Sequence, residues 1–230
     1  MNLRRFSLVV FTTLLSLSGA SPAAEGKPLK MLFVGNSITR HGPAAKIGWT
    51  GNWGMAATSE DKDYVHLVVD AVTKKQGAKP EFLVANVADF ERNFETFDFT
   101  TKLKTQTDFA PDIVVLAIGE NVPALQTEES KTKFKDSVTK LMTLLKASPT
   151  TKIYVRGCFW ANPAKDTSLK EACATVGGTF IDISSLAKDE ANYARSERKI
   201  EHEGVARHPG DKGMQAIADA ISASIVATLK

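Results

Sequence analysis

The chain has 230 residues, 43% of them hydrophobic and 24% charged, a balance that supports a packed core and excludes a disordered or fibrous chain. With 29 Lys and Arg against 26 Asp and Glu the formal charge is only +3, so nothing calls for nucleic acid or an anionic membrane as a partner. No internal repeat, low-complexity tract or linker marks a second domain.

Arg4 and Arg5 precede the apolar stretch 6–17, and the small residues Ser18, Gly19 and Ala20 follow it, which is the layout of a secretory signal peptide over 1–24. The apolar stretch is too short to span a bilayer. Cleavage near 20–24, after Ala20, Ala23 or Ala24, would release an exported protein, periplasmic or secreted, with one domain over 25–230. Arg4 and Arg5 are the only charged residues of this leader, so its removal lowers the formal charge from +3 to +1.

Apolar, β-rich runs then recur at 30–34, 81–87, 112–118, 152–155 and 179–183, with helical stretches between them. This alternation predicts an α/β fold in which a five-stranded parallel sheet carries crossover helices on both faces. Val65, Val68, Val69 and Val72 form one helical stripe, and Phe134, Val138, Leu141 and Leu145 another. Met214, Ile217, Ala218, Ile221, Ile225 and Val226 line the last helix, with Asp211 placed as its N-cap. The connections 40–60 and 184–207 are long enough to be functional, and both follow strand ends on the edge of the sheet where such folds do chemistry.

The first run ends in Gly35-Asn36-Ser37-Ile38, where a glycine turn presents the Ser37 hydroxyl at the carboxyl end of a strand and leaves its backbone N–H free. Ile118-Gly119-Glu120-Asn121 follows the third run, and Arg207-His208-Pro209-Gly210 precedes the last helix. Alone, each is an ordinary turn. Together they set a nucleophile, an amide donor and a base at the edges of regular elements.

These blocks resemble those of the SGNH or GDSL family of serine esterases and lipases. Gly35-Asn36-Ser37-Ile38 is similar to its Gly-Asp-Ser-Leu block, with asparagine in place of aspartate; Asn86-Val87-Ala88 stands where the family has Asn-x-Gly; Gly119-Glu120-Asn121 is similar to its Gly-x-Asn-Asp, with Val122 last. His208 matches the histidine of the family's Asp-x-x-His, but Val205 occupies the acid's position. The resemblance implies a three-layer α/β/α, flavodoxin-like fold. It also implies Ser37 as nucleophile, His208 as base, and an oxyanion hole from the Ser37 and Ala88 N–H groups and the Asn121 carboxamide, with no metal or organic cofactor.

The missing acid leaves two arrangements. Either Ser37 and His208 act as a dyad whose imidazole is held by a backbone carbonyl, of Val205 or a neighbour, or an acid is recruited from Glu203, Glu201, Asp211, Glu120 or Asp182. The substrate expected is a small-molecule or glycan ester, with O-acetyl esters of carbohydrates favoured if Trp49 and Trp53 stack on sugar rings; the tryptophans serve equally well as loop anchors. Rival readings are a lipid esterase or thioesterase with Phe90, Phe94 and Phe97 along an acyl groove, and a silent binding protein on the same scaffold. His66 reads as structural and His202 as solvent-exposed, and the spacing of Glu201, His202, Glu203 and His208 matches no zinc pattern. Cys158 and Cys173 are either a disulfide or two buried thiols, and the sequence does not speak to oligomeric state.

Overall fold

The computed structural model describes residues 27–229, so the leader expected over 1–24 lies outside the described residues. Five strands form one sheet: β1 (Lys30–Gly35), β2 (Glu81–Asn86), β3 (Ile113–Ala117), β4 (Lys152–Arg156) and β5 (Thr179–Ile181). Their order is β2-β1-β3-β4-β5 and every pairing is parallel. The strands start and stop within two residues of the apolar runs, and β3, Ile-Val-Val-Leu-Ala, is buried along its whole length, as a central parallel strand must be.

Helices α1 (Tyr64–Gln76), α2 (Ala88–Arg92), α3 (Phe99–Lys102), α4 (Lys104–Phe109), α5 (Glu128–Leu145), α6 (Pro163–Thr175), α7 (Ala194–Glu197), α8 (Glu203–Ala206) and α9 (Asp211–Val226) complete the fold. Alternate residues of each strand feed opposite cores. Leu32, Val34, Val114 and Leu116 pack with Phe134, Val138 and Leu141 of α5 and Leu169 of α6. Met31, Phe33, Val115 and Tyr154 face the other way, against Val65, Val68 and Val69 of α1 and Met214, Ile217 and Ile221 of α9. The result is three layers, α/β/α. Among the described residues, no helix is long and apolar enough to cross a membrane.

Asp211 is the first residue of α9 and not its N-cap, which is Gly210. The capping acceptor comes from a distance: Glu197 accepts from the Asp211 N–H at 2.9 Å and the Lys212 N–H at 2.8 Å. Gly210 is suited to this because a Cβ there would collide with the Glu197 carboxylate. Asp211 instead accepts from the Thr58 N–H and hydroxyl, at 2.8 and 2.6 Å, and ties the 40–60 connection to α9. Cys158 and Cys173 are separate buried thiols.

Candidate active site

Gly35 ends β1 against β3, and a side chain there would place a Cβ 2.7 Å from the Ala117 carbonyl oxygen and against Thr39. Only glycine lets the chain turn so close to its neighbour. The turn that follows is held by Asn36, whose carbonyl accepts from Thr39 and Arg40 at 3.0 and 2.9 Å and whose side-chain oxygen accepts from the Ile38 N–H at 3.1 Å. Ser37 sits at the apex. Its backbone N–H donates to no acceptor among the described residues, and its carbonyl accepts from Met55 at 2.8 Å.

The Ser37 Oγ lies 2.8 Å from His208 Nε2, across 171 residues of sequence. On the far side of the ring, His208 Nδ1 is 2.7 Å from the Gly204 carbonyl oxygen. A carbonyl can only accept, so Nδ1 carries the ring proton and Nε2 turns its lone pair to the serine hydroxyl. Trp160 packs edge-on against the imidazole, with centroids 5.5 Å apart, and limits its rotation. Burial drives the His208 pKa down to about 4, against the raising effect of the Gly204 hydrogen bond. The ring is therefore neutral at pH 7.

No carboxylate touches this imidazole among the described residues. Val205, at the position of the family's acid, is buried with Trp49, Met55, Ala56 and Ala194. An ionised aspartate would be poorly solvated there. Of the five candidate acids, Asp211 holds Thr58, Asp182 accepts from the Ser184 N–H, Glu120 is paired with Arg156, and Glu201 and Glu203 are exposed.

Behind Ser37 lies a buried polar network that the sequence reading did not foresee. The Asn36 Nδ2 donates to Glu120 Oε2 at 2.6 Å and to Glu91 Oε1 at 3.1 Å. Glu120 also accepts from Arg156 Nη1 at 2.8 Å and from the Phe159 N–H at 2.9 Å. Burial opposes its charge, but the Arg156 guanidinium and these donors outweigh burial and hold its carboxyl below the usual range. Glu91 accepts from the Gly119 N–H at 2.6 Å and from the Asn121 Nδ2 at 2.7 Å. Its own carboxyl is raised, by burial first and then by the charge of Glu120.

Glu91 thus sets the carboxamide of Asn121. One Nδ2 hydrogen goes to Glu91, Arg92 Nη2 donates to the Asn121 Oδ1 at 3.3 Å, and the second Nδ2 hydrogen is left for the cleft. Ala88 also borders the cleft, but its N–H donates to Asn86 Oδ1 at 2.9 Å. The cleft, about 400 Å³, is lined by Ser37, Asn121 and His208 with Ile47, Met55 and Val205. Both long connections contribute to it, through His41 and His202 among others. Trp49 and Trp53 do not line it: they meet edge to face at 5.6 Å and donate to the His41 and Ala57 carbonyls, anchoring their loop. Phe90 and Phe94 are buried in the core, and Phe97 packs on them. His66 is held by Asp63 at 2.8 Å, away from Ser37.

No protein-family model matches the chain, and no curated protein matches it in sequence. Solved structures do. One is a carbohydrate esterase whose active site has divergent catalytic and non-catalytic binding functions (TM-score 0.56, 13% identity, 90% of this chain and 71% of that one). Another is an active-site mutant of a family two carbohydrate esterase from Clostridium thermocellum (TM-score 0.57, 16% identity), where the match covers 88% of this chain but 65% of the longer one. A third, from Bacteroides ovatus, is named a GDSL-like lipase (TM-score 0.55, 16% identity, 88% of this chain and all of that one). With its β2-β1-β3-β4-β5 parallel sheet between two helical layers, the chain has the fold of the SGNH hydrolases.

Proposed function

We propose that this chain is an exported serine esterase that cleaves carboxylic esters through an acyl-enzyme on Ser37, with O-acetyl esters of carbohydrates as its substrates. The observation that carries the reading is the 2.8 Å contact between Ser37 Oγ and a His208 Nε2 whose tautomer is fixed by the Gly204 carbonyl. His208 takes the hydroxyl proton as Oγ attacks the acyl carbon, and the Ser37 N–H and the free Asn121 Nδ2 hydrogen receive the developing oxyanion. The proton then passes to the leaving alcohol, and His208 activates water to release the acid. Ala88 joins as a donor only if its N–H is shared with, or leaves, Asn86.

Ile47, Met55 and Val205 give the cleft a short apolar wall suited to a small acyl group, and the phenylalanines of the lipid reading are occupied in the core. The carbohydrate esterases among the structural neighbours support the sugar ester. Hydrolysis of p-nitrophenyl esters is the test: rates should fall from acetyl to octanoyl, and a rise along that series would reject a deacetylase in favour of a lipid esterase.

Two further results are expected. Glu201→Ala, Glu203→Ala and Asp211→Asn should each keep kcat within about threefold, because the carbonyl of Gly204 already orients the ring; a loss near the ~10⁴-fold seen when an established triad loses its acid would show a third side chain at work. The kcat/KM of the wild type should fall on the acid side with a midpoint near 4, the value to which burial lowers His208, and stay flat from about pH 5.5 to 7.5. A midpoint near the ordinary histidine value of about 6.5 would mean that the base is solvated in the free enzyme.

A further inference from the structure

The cleft does not end at the catalytic dyad. Ile47 and His202, which line it, also line a second and larger cavity of about 650 Å³, so the two form one groove. Its charges are uneven. Arg92 borders the inner part, while Lys46 and Lys199 border the outer part, and all three are exposed. None of the three has a carboxylate within 4.0 Å among the described residues. The acids on the groove are Asp89, which is bound to Lys102, and Glu201. His41 and His202 add two imidazoles to the inner wall.

This bias is local, since the whole chain carries only +3. With Asp89 neutralised by Lys102, three cations face one free acid, Glu201; such an excess concentrates anions, and an arginine fork suits a carboxylate or sulfate. Arg92 also donates to the Asn121 Oδ1 at 3.3 Å, which places its guanidinium on the same cleft as Ser37.

We infer that the groove takes esters carried on a polyanion, an O-acylated acidic glycan whose carboxylate or sulfate groups meet Arg92 next to the scissile ester and Lys46 and Lys199 farther along. The inference rests on the esterase reading above and adds the substrate's charge to it. The Ser37 site performs the chemistry; the cations select the chain.

The test compares ester release from O-acetylated polygalacturonate, sulfated O-acetylated xylan and neutral O-acetylated xylan. The acidic polymers should exceed the neutral one in kcat/KM by about tenfold or more at low salt, and the margin should shrink between about 10 and 500 mM NaCl as the charges are screened. Whichever acidic polymer leads identifies carboxylate or sulfate as the preferred anion. The double variant Lys46→Met/Lys199→Met should lose most of the margin while keeping p-nitrophenyl acetate turnover. For Arg92→Met the acidic-to-neutral ratio is the readout, because any general effect through Asn121 cancels in it. Equal rates on all three polymers, or a margin indifferent to salt and to both variants, would overturn the inference. If p-nitrophenyl acetate is cleaved by the wild type and not by Ser37→Ala, that failure leaves the esterase reading intact. Should no ester be cleaved at all, calorimetry of Ser37→Ala with polygalacturonate decides: salt-sensitive binding supports the cationic groove, and no binding rejects it.

Discussion

Ser37→Ala and His208→Ala should each lower kcat for a neutral acetyl ester by about 10⁴-fold or more, and the double variant should be no slower than either. Joint behaviour is what the proposed dyad requires. An alcohol at its ordinary acidity is a poor nucleophile, and an imidazole without a hydroxyl 2.8 Å away has no proton to take, so removing either partner removes the same step. Residual activity would come from the Ser37 N–H and the Asn121 carboxamide. Ser37→Ala deletes a single half-buried hydroxyl and should leave the thermal midpoint within a few degrees, so that lost turnover cannot be ascribed to unfolding. Losses that simply multiply in the double variant would show two independent roles in place of a dyad. Unchanged activity in both would remove catalysis from this site and favour a binding protein on the scaffold.

Asn36→Asp, which would restore the aspartate usual in the family's serine block, should damage this protein. The Asn36 Nδ2 donates to Glu120 at 2.6 Å and Glu91 at 3.1 Å, and an aspartate would replace that donor by a third acceptor facing two buried carboxyl groups. One cation, Arg156, serves the cluster directly through Glu120. Breaking such buried pairing costs about 3–5 kcal/mol, and chemical denaturation at pH 7 should show a loss of that size. The pH dependence has a definite sign. An aspartate whose folded pKa is raised carries no penalty below its unfolded pKa of about 3.9, and its penalty grows as pH rises through the folded value, so the deficit should be larger at pH 8 than at pH 5. Turnover should fall with it, because Asn36 also holds the Ser37 turn through the Ile38 N–H. A variant as stable and active as the wild type would mean that the network tolerates a free carboxylate and that Asn36 is incidental.

Much of the fold is legible in the sequence. Continuous apolar strands and the 3.6-residue stripes of α1, α5 and α9 report burial directly, and burial is what sets parallel sheets and their flanking helices. Ser37, Asn121 and His208 are singled out in the sequence by standing at element ends, and the structure brings the three to one cleft; their chemical roles remain those proposed above. The rest depended on contacts between distant residues. Glu91 lies in a short helix among charged neighbours, and nothing in its sequence position separates it from a solvated acid; only the fold brings the Gly119 N–H and the Asn121 carboxamide to it. Val205 looked like a lost acid and is a packed apolar residue whose neighbour Gly204 supplies the acceptor from its backbone, a group present at every position and so invisible to motif reading. Asp211 carried an N-cap signature, yet Glu197 caps α9 from 14 residues away. For Trp49 and Trp53, glycine-rich surroundings were compatible with a sugar platform or an anchor, and the indole N–H bonds to His41 and Ala57 favour the anchor.

Activation of Ser37 by His208 is the central claim, and a fluorophosphonate probe followed by peptide mass spectrometry addresses it without knowledge of the natural ester. Stoichiometric modification of the folded wild type at Ser37, with little or none in His208→Ala, is the expected result. A wild type that stays unlabelled while folded, or a His208→Ala variant that labels as fast as the wild type, would contradict it.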